Sequence, residues 1–380
     1  MKTGIITFHA AINYGSVLQA FALQEYLTAR GHDVSVIDFR SKAQRQLYPS
    51  AISFSSRYNA KRTLSRIMRP FSGWKEIRMT ATKHSAFSSF LERYLHQTPE
   101  KFFAEEDLRR YDWSSYGMLV SGSDQIWNLS AIDASPAYFL DFVSGMKKIA
   151  YAPSAGPHPV SSGRAGLGLS QARKFISDYS AVSVREKATA DFYSLGDAPV
   201  LPDPTVLHEA DFYRSAECPL SGISLPERYV LYYAPGRRSK AAEMLADAAS
   251  AGMLGKKAAA VLPQQARIPV LSVGDGASCL YPEFSVPVPC GPDGFLYLVD
   301  KASCTVGTSY HLMVFSMLFG KDFWCPDAAS DSRKVQLLSA AGLSADNTFF
   351  PFSDPEVKQQ ARQALLRLRA ETDAFWDSIG

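Results

Sequence analysis

Three places in the sequence put a cationic side chain just after a short apolar run and just before a helix-like stretch. His311 follows SCTVGTS and heads HLMVFSMLFG, with Ser309 closing the run ahead of it. Arg185 ends AVSVR before EKATADFYSL, and Arg333 with its neighbour Lys334 follows DFWCP and the small-residue loop AASDS. In a parallel sheet the carboxyl end of a strand leads into the amino end of a helix, where free N–H groups and the positive helix end favour an anion. A histidine there binds an anion when charged or passes a proton to a bound molecule. Arginine adds a planar fork that matches carboxylates and phosphates. Together these residues point to transfer from a small anionic donor. On residue grounds alone the bland alternatives stay open: His311 as a helix cap, Arg185 in an exposed pair with Glu186, and either Arg333 or Lys334 as a surface charge.

Two polar loops accompany the cations. NYGS, with Asn13, Tyr14 and Gly15, follows the first apolar run, and GSDQIWN (122–128) follows MLVS. In the second loop Ser123, Asp124, Gln125, Trp127 and Asn128 offer the polar and aromatic surface that sugars occupy. Ordinary turn chemistry accounts for either loop equally well.

The elements that must carry these residues alternate between strand and helix. KTGIITF reads as a buried strand, LQAFALQEYLTAR as a helix with Leu18, Phe21, Ala22 and Tyr26 on one face, and DVSVIDF as a second strand. Gly31 stands where a helix ends. Strand, turn, helix, strand is a βαβ unit with a right-handed crossover, and its first loop lies at the ligand-binding edge of the sheet. Further strand-like runs are GMLVSG, KKIAYAPS, AVSVRE and APVLPDP, and the stretch from Asp203 to Tyr229 reads as a linker. A second alternation follows from YVLYYAP through IPVLSVGDG and SCTVGTS to DFWCP, closed by the long amphipathic PEVKQQARQALLRLRAETDAFWDSI.

The expected class is therefore α/β with two Rossmann-like lobes. Residues 1–205 form the first, with a basic helical insertion over about 41–110, residues 206–353 form the second, and 354–380 form a C-terminal helix. Within the insertion Arg57, Lys61, Arg62, Arg66 and Arg69 either face solvent or meet anionic lipid or an anionic carrier.

Bulk composition excludes several classes. With 46% hydrophobic and 20% charged residues the chain has a globular rather than a disordered balance. Its net charge of +3, from 40 basic and 37 acidic residues, calls for no nucleic-acid partner. The five cysteines lack C-x-x-C spacing and read as buried thiols, and no metal-ligand cluster is spaced for zinc. No run approaches the ~20 apolar residues of a spanning helix. The expectation is a cytoplasmic protein, with peripheral contact at the inner face of the membrane left open and the oligomeric state unread.

The segments TFHAAINYGSVLQAFALQEYL, LVSGSDQIWN, KKIAYAPSAG, AVSVRE, LPDPTVL and TSYHLMVFSMLFGKDF, in this order, resemble the polysaccharide pyruvyl transferase family. The resemblance implies a fold like the GT-B glycosyltransferases, with the sugar acceptor on the first lobe and phosphoenolpyruvate, the donor substrate, on the second. It implies no other cofactor. It carries the donor-binding arginine onto Arg185, the essential histidine onto His311, and a later basic residue onto Arg333 or Lys334, with Arg333 preferred. The product it implies is a pyruvate ketal on a sugar of a cell-surface or exopolysaccharide precursor, with Asp124 as a candidate base. Two departures, Ser309-Tyr310-His311-Leu312 and Tyr151-Ala152-Pro153-Ser154, remove no charged group. Two other readings remain: a glycosyltransferase of the same architecture using a nucleotide sugar, for which the GDG run at 274–276 is too short a signal, and a catalytically silent sugar-binding module.

Overall fold

The first βαβ unit forms as the pattern predicts. Lys2–Ile6 (β1), Tyr14–Ala29 (α1) and Asp33–Phe39 (β2) follow in order, and β1 pairs with β2 in parallel from Lys2 opposite Asp33 to Ile5 opposite Val36. Gly31, at φ +85°, turns the chain out of α1 and lets the His32 N–H donate to the Leu27 carbonyl. The structure is a computed structural model. It describes every residue except 70, 162, 164–165, 218–219, 221–222, 237–238, 253–267 and 275–284.

The stretch expected as an all-helical insertion holds three helices, Lys42–Leu47 (α2), Arg57–Ile67 (α3) and Ser72–Tyr94 (α4), and then departs from expectation. Gln97–Phe102 (β3) joins the sheet as an edge strand beside β2, followed by the short helix Glu105–Arg110 (α5). Pro99, Glu100 and Lys101 hide this strand from an apolar-pattern reading. Such residues are tolerated on an edge, where one side of the ladder is unpaired.

Met118–Ser121 (β4), Lys147–Ala150 (β5) and Ala181–Val182 (β6) complete a parallel sheet in the order β3-β2-β1-β4-β5-β6. The helices Leu169–Ile176 (α6) and Lys187–Tyr193 (α7) flank β6 in sequence. APVLPDP makes only a bridge, Val184 with Val200, before Asp203 caps a 3-10 turn at Pro204–Val206. The segment read as a linker is packed instead. Its helix Ala210–Ser215 (α8) buries Tyr213 completely, and the Tyr213 hydroxyl donates to the Thr205 carbonyl.

The second sheet is built from Val230–Tyr233 (β7), Val270–Ser272 (β8), Val286–Pro287 (β9), Cys304–Gly307 (β10), Phe323–Trp324 (β11) and Phe349–Phe350 (β12). Their order is β12-β11-β10-β7-β8-β9, which is the order of the first sheet repeated, with only β12 antiparallel. Lys240–Ser250 (α9), Pro292–Lys301 (α10), Tyr310–Phe319 (α11) and Ser332–Ala340 (α12) connect these strands. Each sheet therefore has a topological switch point, between β1 and β4 in one and between β7 and β10 in the other. Open α/β sheets bind their ligands at such points.

α1 lies between the sheets and is buried on nearly every face, so its apolar residues are not confined to the stripe expected of a surface helix. Tyr14 stacks on Phe295 of α10 with ring centroids 4.5 Å apart, and residues of α1, α10 and α11 belong to one continuous core. The last helix, Pro355–Ile379 (α13), buries Ala361 and Leu365 in that core and then crosses to the first sheet, where Trp376 stacks on Tyr151 at 5.9 Å. Two Rossmann-like lobes and a returning C-terminal helix make this the GT-B arrangement. Cys290, Cys304 and Cys325 are buried free thiols, with burial pushing Cys290 up to about 11; Cys218, Cys279 and most of the GDG run lie outside the described residues.

Candidate functional site

The two switch points face one another across a cavity of about 450 Å³. Asn13 and Ser16 reach it from the cap and first turn of α1, and Asp124 and Gln125 from the loop after β4. From the other lobe come Pro235 and Gly236 after β7, Ser309, Tyr310 and His311 after β10, and Asp327, Asp331 and Arg333 after β11. Thr308 and Tyr48 complete the lining.

His311 sits in the first turn of α11. Ser309 caps that helix, its Oγ accepting from the Leu312 N–H at 3.2 Å, so the hydroxyl expected to touch a donor is also the helix's own cap. The imidazole lies flat against Gly15: a Cβ at that position would overlap the ring. Gly15 is thus a contact surface for His311 across the lobes. Imidazole Nε2 faces Asp203 Oδ2 at 3.4 Å, and the same carboxylate oxygen accepts from Arg185 Nη1 at 2.7 Å. His311 and Arg185, 126 positions apart in the chain, therefore come no farther apart than the sum of those distances, about 6 Å.

All three groups are buried. Burial alone would raise the Asp203 carboxyl, but His311 and Arg185 outweigh it and hold it well below the usual carboxylate range. Burial alone would lower Arg185, and the carboxylates of Asp203 and Glu186 drive it upward instead. Arg185 Nε, Arg185 Nη2 and His311 Nε2 are buried without a hydrogen-bond partner. Beyond the longer ion-pair contacts of His311 Nε2 with Asp203 and of Arg185 Nε with Glu186, these donors have capacity for a water, an ion or a ligand, since a buried donor left unmet costs roughly 1–3 kcal/mol.

Arg185 does not line the main cavity. It stands one layer behind, its guanidinium 5.3 Å from the centre of the Tyr310 ring, while Arg333 lies 5.8 Å from the same centre. Arg333 lines the cavity and makes a two-pronged contact with Asp331, Nε to Oδ1 at 2.8 Å and Nη2 to Oδ2 at 2.5 Å. Burial would raise Asp331, yet Arg333 brings it down to about 2. Lys334 points the other way. Its Nζ is buried against Asp327 Oδ1 at 2.7 Å and Cys325 Sγ at 3.5 Å, because successive residues at a helix start project to different faces.

In the first lobe the expected sugar-facing residues divide. Asn13 lines the cavity and caps α1, its Oδ1 accepting from the Gly15 and Ser16 N–H groups. Asp124 accepts from Ser16 Oγ at 2.6 Å and from the Gln125 N–H at 2.8 Å. Its backbone, at φ 78° and ψ −178°, occupies a region ordinarily left to glycine, at a cost of roughly 1–3 kcal/mol. Backbone strain of this size concentrates at functional sites. Gln125 faces the cavity with Asn128 behind it, Nδ2 to Oε1 at 3.2 Å.

Tyr14, Ser123 and Trp127 turn away. Tyr14 enters the interlobe core, and the Ser123 hydroxyl donates to the Ala152 carbonyl at 2.9 Å. Trp127 is fully buried, stacked on Phe139 at 5.3 Å with its N–H shared between Ser121 Oγ and the Tyr138 carbonyl. The aromatic surface expected of GSDQIWN is therefore absent. The 3-10 turn Gln125–Trp127 sends its two apolar side chains inward and its amide outward.

A family model described as polysaccharide pyruvyl transferase matches residues 13–325. The chain belongs to the polysaccharide pyruvyl transferase family. No curated protein matches it. Among solved structures it is similar to MnaA of S. aureus in complex with UDP, at 10% identity and a TM-score of 0.47 over 97% of this chain and 89% of that one. It is also similar to a putative UDP-N-acetylglucosamine 2-epimerase from Listeria monocytogenes (11%, 0.45, 99% and 89%) and to the glycosyltransferase SnogD from Streptomyces nogalater (14%, 0.39, 98% and 95%).

The span matched by the polysaccharide pyruvyl transferase model takes in Asn13, Asp124, Arg185 and His311 and stops short of Arg333. In this family member sequence reasoning missed Asp203, Tyr310, Asp327 and Asp331. Asp203 carried a signal, since an acid bracketed by two prolines in the otherwise apolar LPDPTV is poorly suited to a strand.

Proposed function

We propose that the protein transfers pyruvate from phosphoenolpyruvate to a sugar of a cell-surface or exopolysaccharide precursor, closing a cyclic ketal. The observation that carries this reading is the convergence of His311 and Arg185 on one oxygen of Asp203, beside a polar interlobe cavity and at the amino end of α11. Phosphoenolpyruvate brings a carboxylate and a phosphate a few ångströms apart. Arg333, lining the cavity, and the free N–H groups at the start of α11 receive these anions, and Arg185 adds positive potential from behind Tyr310. Charge-assisted bonds of this type contribute roughly 1.5–3 kcal/mol each.

In the reaction His311, facing the ionised carboxylate of Asp203, gives a proton to the methylene carbon of the enol. The adjacent carbon gains oxocarbenium character and is attacked by a sugar hydroxyl, which passes its proton to Asp124. Phosphate leaves with the electrons of its C–O bond and takes the proton held by Asp124, and a second hydroxyl adds to close the ketal, its proton returning to His311. The net change is phosphoenolpyruvate plus a diol giving ketal plus phosphate, and the scheme calls on no further cofactor.

The test is phosphate release in the presence of acceptor, with galactosides, glucosides and mannosides screened for the mass gain of a pyruvate ketal. His311→Ala and Arg185→Ala are expected to lose ~10²-fold or more in rate, the range of general acid–base help. Near-normal turnover in both variants with an intact fold overturns the assignment.

A further inference from the structure

We infer that the α3–α4 hairpin is a docking surface for an anionic lipid bilayer. The reading rests on the hairpin itself and does not depend on the reaction proposed above.

Between residues 42 and 79 the sequence holds nine basic residues and one acid, Glu76. The whole chain counts 40 basic against 37 acidic residues, so everything outside this segment is net negative by five. Glu76 is already engaged by Arg66 at 3.3 Å and Arg69 at 3.1 Å. Arg57, Lys61, Arg62, Lys75 and Arg78 have no carboxylate partner among the described residues. A solvated helix face ordinarily interleaves both signs. This one sets a single acid, already paired, among nine bases.

The same segment exposes apolar side chains. Half of the eighteen large hydrophobic residues exposed among the described residues fall within 47–74. They culminate where α3 turns into α4, with Met68 81% and Phe71 91% exposed and Trp74 one turn beyond. Leu64 and Tyr58, the latter 75% exposed, extend the surface along α3. Exposed aromatic and long aliphatic side chains flanked by lysine and arginine make the composition of an interfacial membrane contact. The charge is what selects this occupant: a neutral apolar partner leaves five cations unanswered, whereas anionic headgroups answer them, each neighbouring cation strengthening binding. Among the described residues no helix is long and apolar enough to cross a membrane, so the contact is with the surface.

α4 carries the consequence into the molecule. It starts beside Trp74 and further along presents His84, Phe87 and Ser88 to a cavity of about 150 Å³ also lined by Arg40, Gln44 and Tyr48. Tyr48 is shared with the main cavity. A bilayer held at the start of α4 therefore fixes how the cleft is presented to lipid-borne molecules.

The experiment is flotation of the full chain with phosphatidylcholine vesicles, with and without phosphatidylglycerol. Binding is expected only with phosphatidylglycerol and is expected to weaken as salt is raised. Met68→Ser/Phe71→Ser/Trp74→Ser and, separately, Lys61→Glu/Lys75→Glu should each reduce binding by about tenfold or more. Both sets are exposed, so circular dichroism and the thermal-unfolding midpoint should match the parent chain. Failure of the parent chain to bind phosphatidylglycerol vesicles overturns the inference, as does parent-like binding by the triple variant. A parent dimer in solution that the triple variant converts to monomer also overturns it, because the apolar surface would then belong to a second copy.

Discussion

Asp203 is the residue that links His311 to Arg185, and its removal tests what that link is worth. It is ionised because His311 and Arg185 more than offset its burial. Its contribution is therefore present above the ordinary aspartate pKa and fades as pH falls through its lowered folded value. In Asp203→Asn the carboxylate is gone while Arg185 stays buried with Glu186, at 3.7 Å, as its nearest remaining counter-charge among the described residues. A broken buried pair costs roughly 3–5 kcal/mol. Denaturant unfolding at neutral pH should show a loss of that order, and the difference from the parent chain should narrow as pH is lowered. An unchanged midpoint would mean that Arg185 finds another partner, and the arrangement described for the site would be wrong.

At the scale of elements, the loop after β4 concentrates acid. Asp124 is held in strained backbone, and nearby Asp133 is buried, with burial, aided by the Asp124 charge and opposed by a backbone hydrogen bond, pushing its carboxyl up to about 6. A carboxyl raised on folding is stabilising only while it stays protonated, so this loop loses stability as pH rises through about 6. Asp133→Asn removes the charge and with it the penalty, worth at most about 3 kcal/mol for a shift of this size. Thermal unfolding should show the variant gaining on the parent at pH 8 and gaining little at pH 4. The opposite order would place Asp133 in an unrecognised ion pair. GSDQIWN also shows what an apolar pattern leaves open: Asp124 and Gln125 face the cavity as expected, whereas Trp127 fills the core because the 3-10 turn rotates it away.

At the scale of the whole molecule, α13 ties the lobes together. It leaves the core of the second sheet and ends against the first, where Trp376 is buried on Tyr151, the Tyr26 hydroxyl donates to Asp373, and Lys147 Nζ donates to the Ile379 carbonyl at 2.7 Å. Trp376→Ala removes the largest side chain of that contact. Large-to-small changes of this kind cost roughly 3–5 kcal/mol. If α13 acts as a clasp, the loss should appear as one cooperative transition of both lobes, since the core is continuous through α1. Two separated transitions would show instead that the lobes unfold independently.

Much of this architecture is local information. Strand and helix alternate with periods that a short window of side chains carries, and a helix following a strand in a parallel sheet can only start at the carboxyl edge, so His311 and Arg333 were legible as cleft-side residues, whereas Arg185, read the same way, stands one layer behind. The resemblance of six ordered segments added the family. What the tertiary structure alone decided is which way each of those residues looks and what it meets. Tyr14 goes into the opposite lobe, Lys334 under its own helix, Trp127 into the core, and Arg185 behind Tyr310, because each orientation is chosen by the surface that packs against it from a distant part of the chain. Asp203 is the clearest case: an acid between two prolines has no local reason to stand between His311 and Arg185, and does so because the second lobe closes over the first.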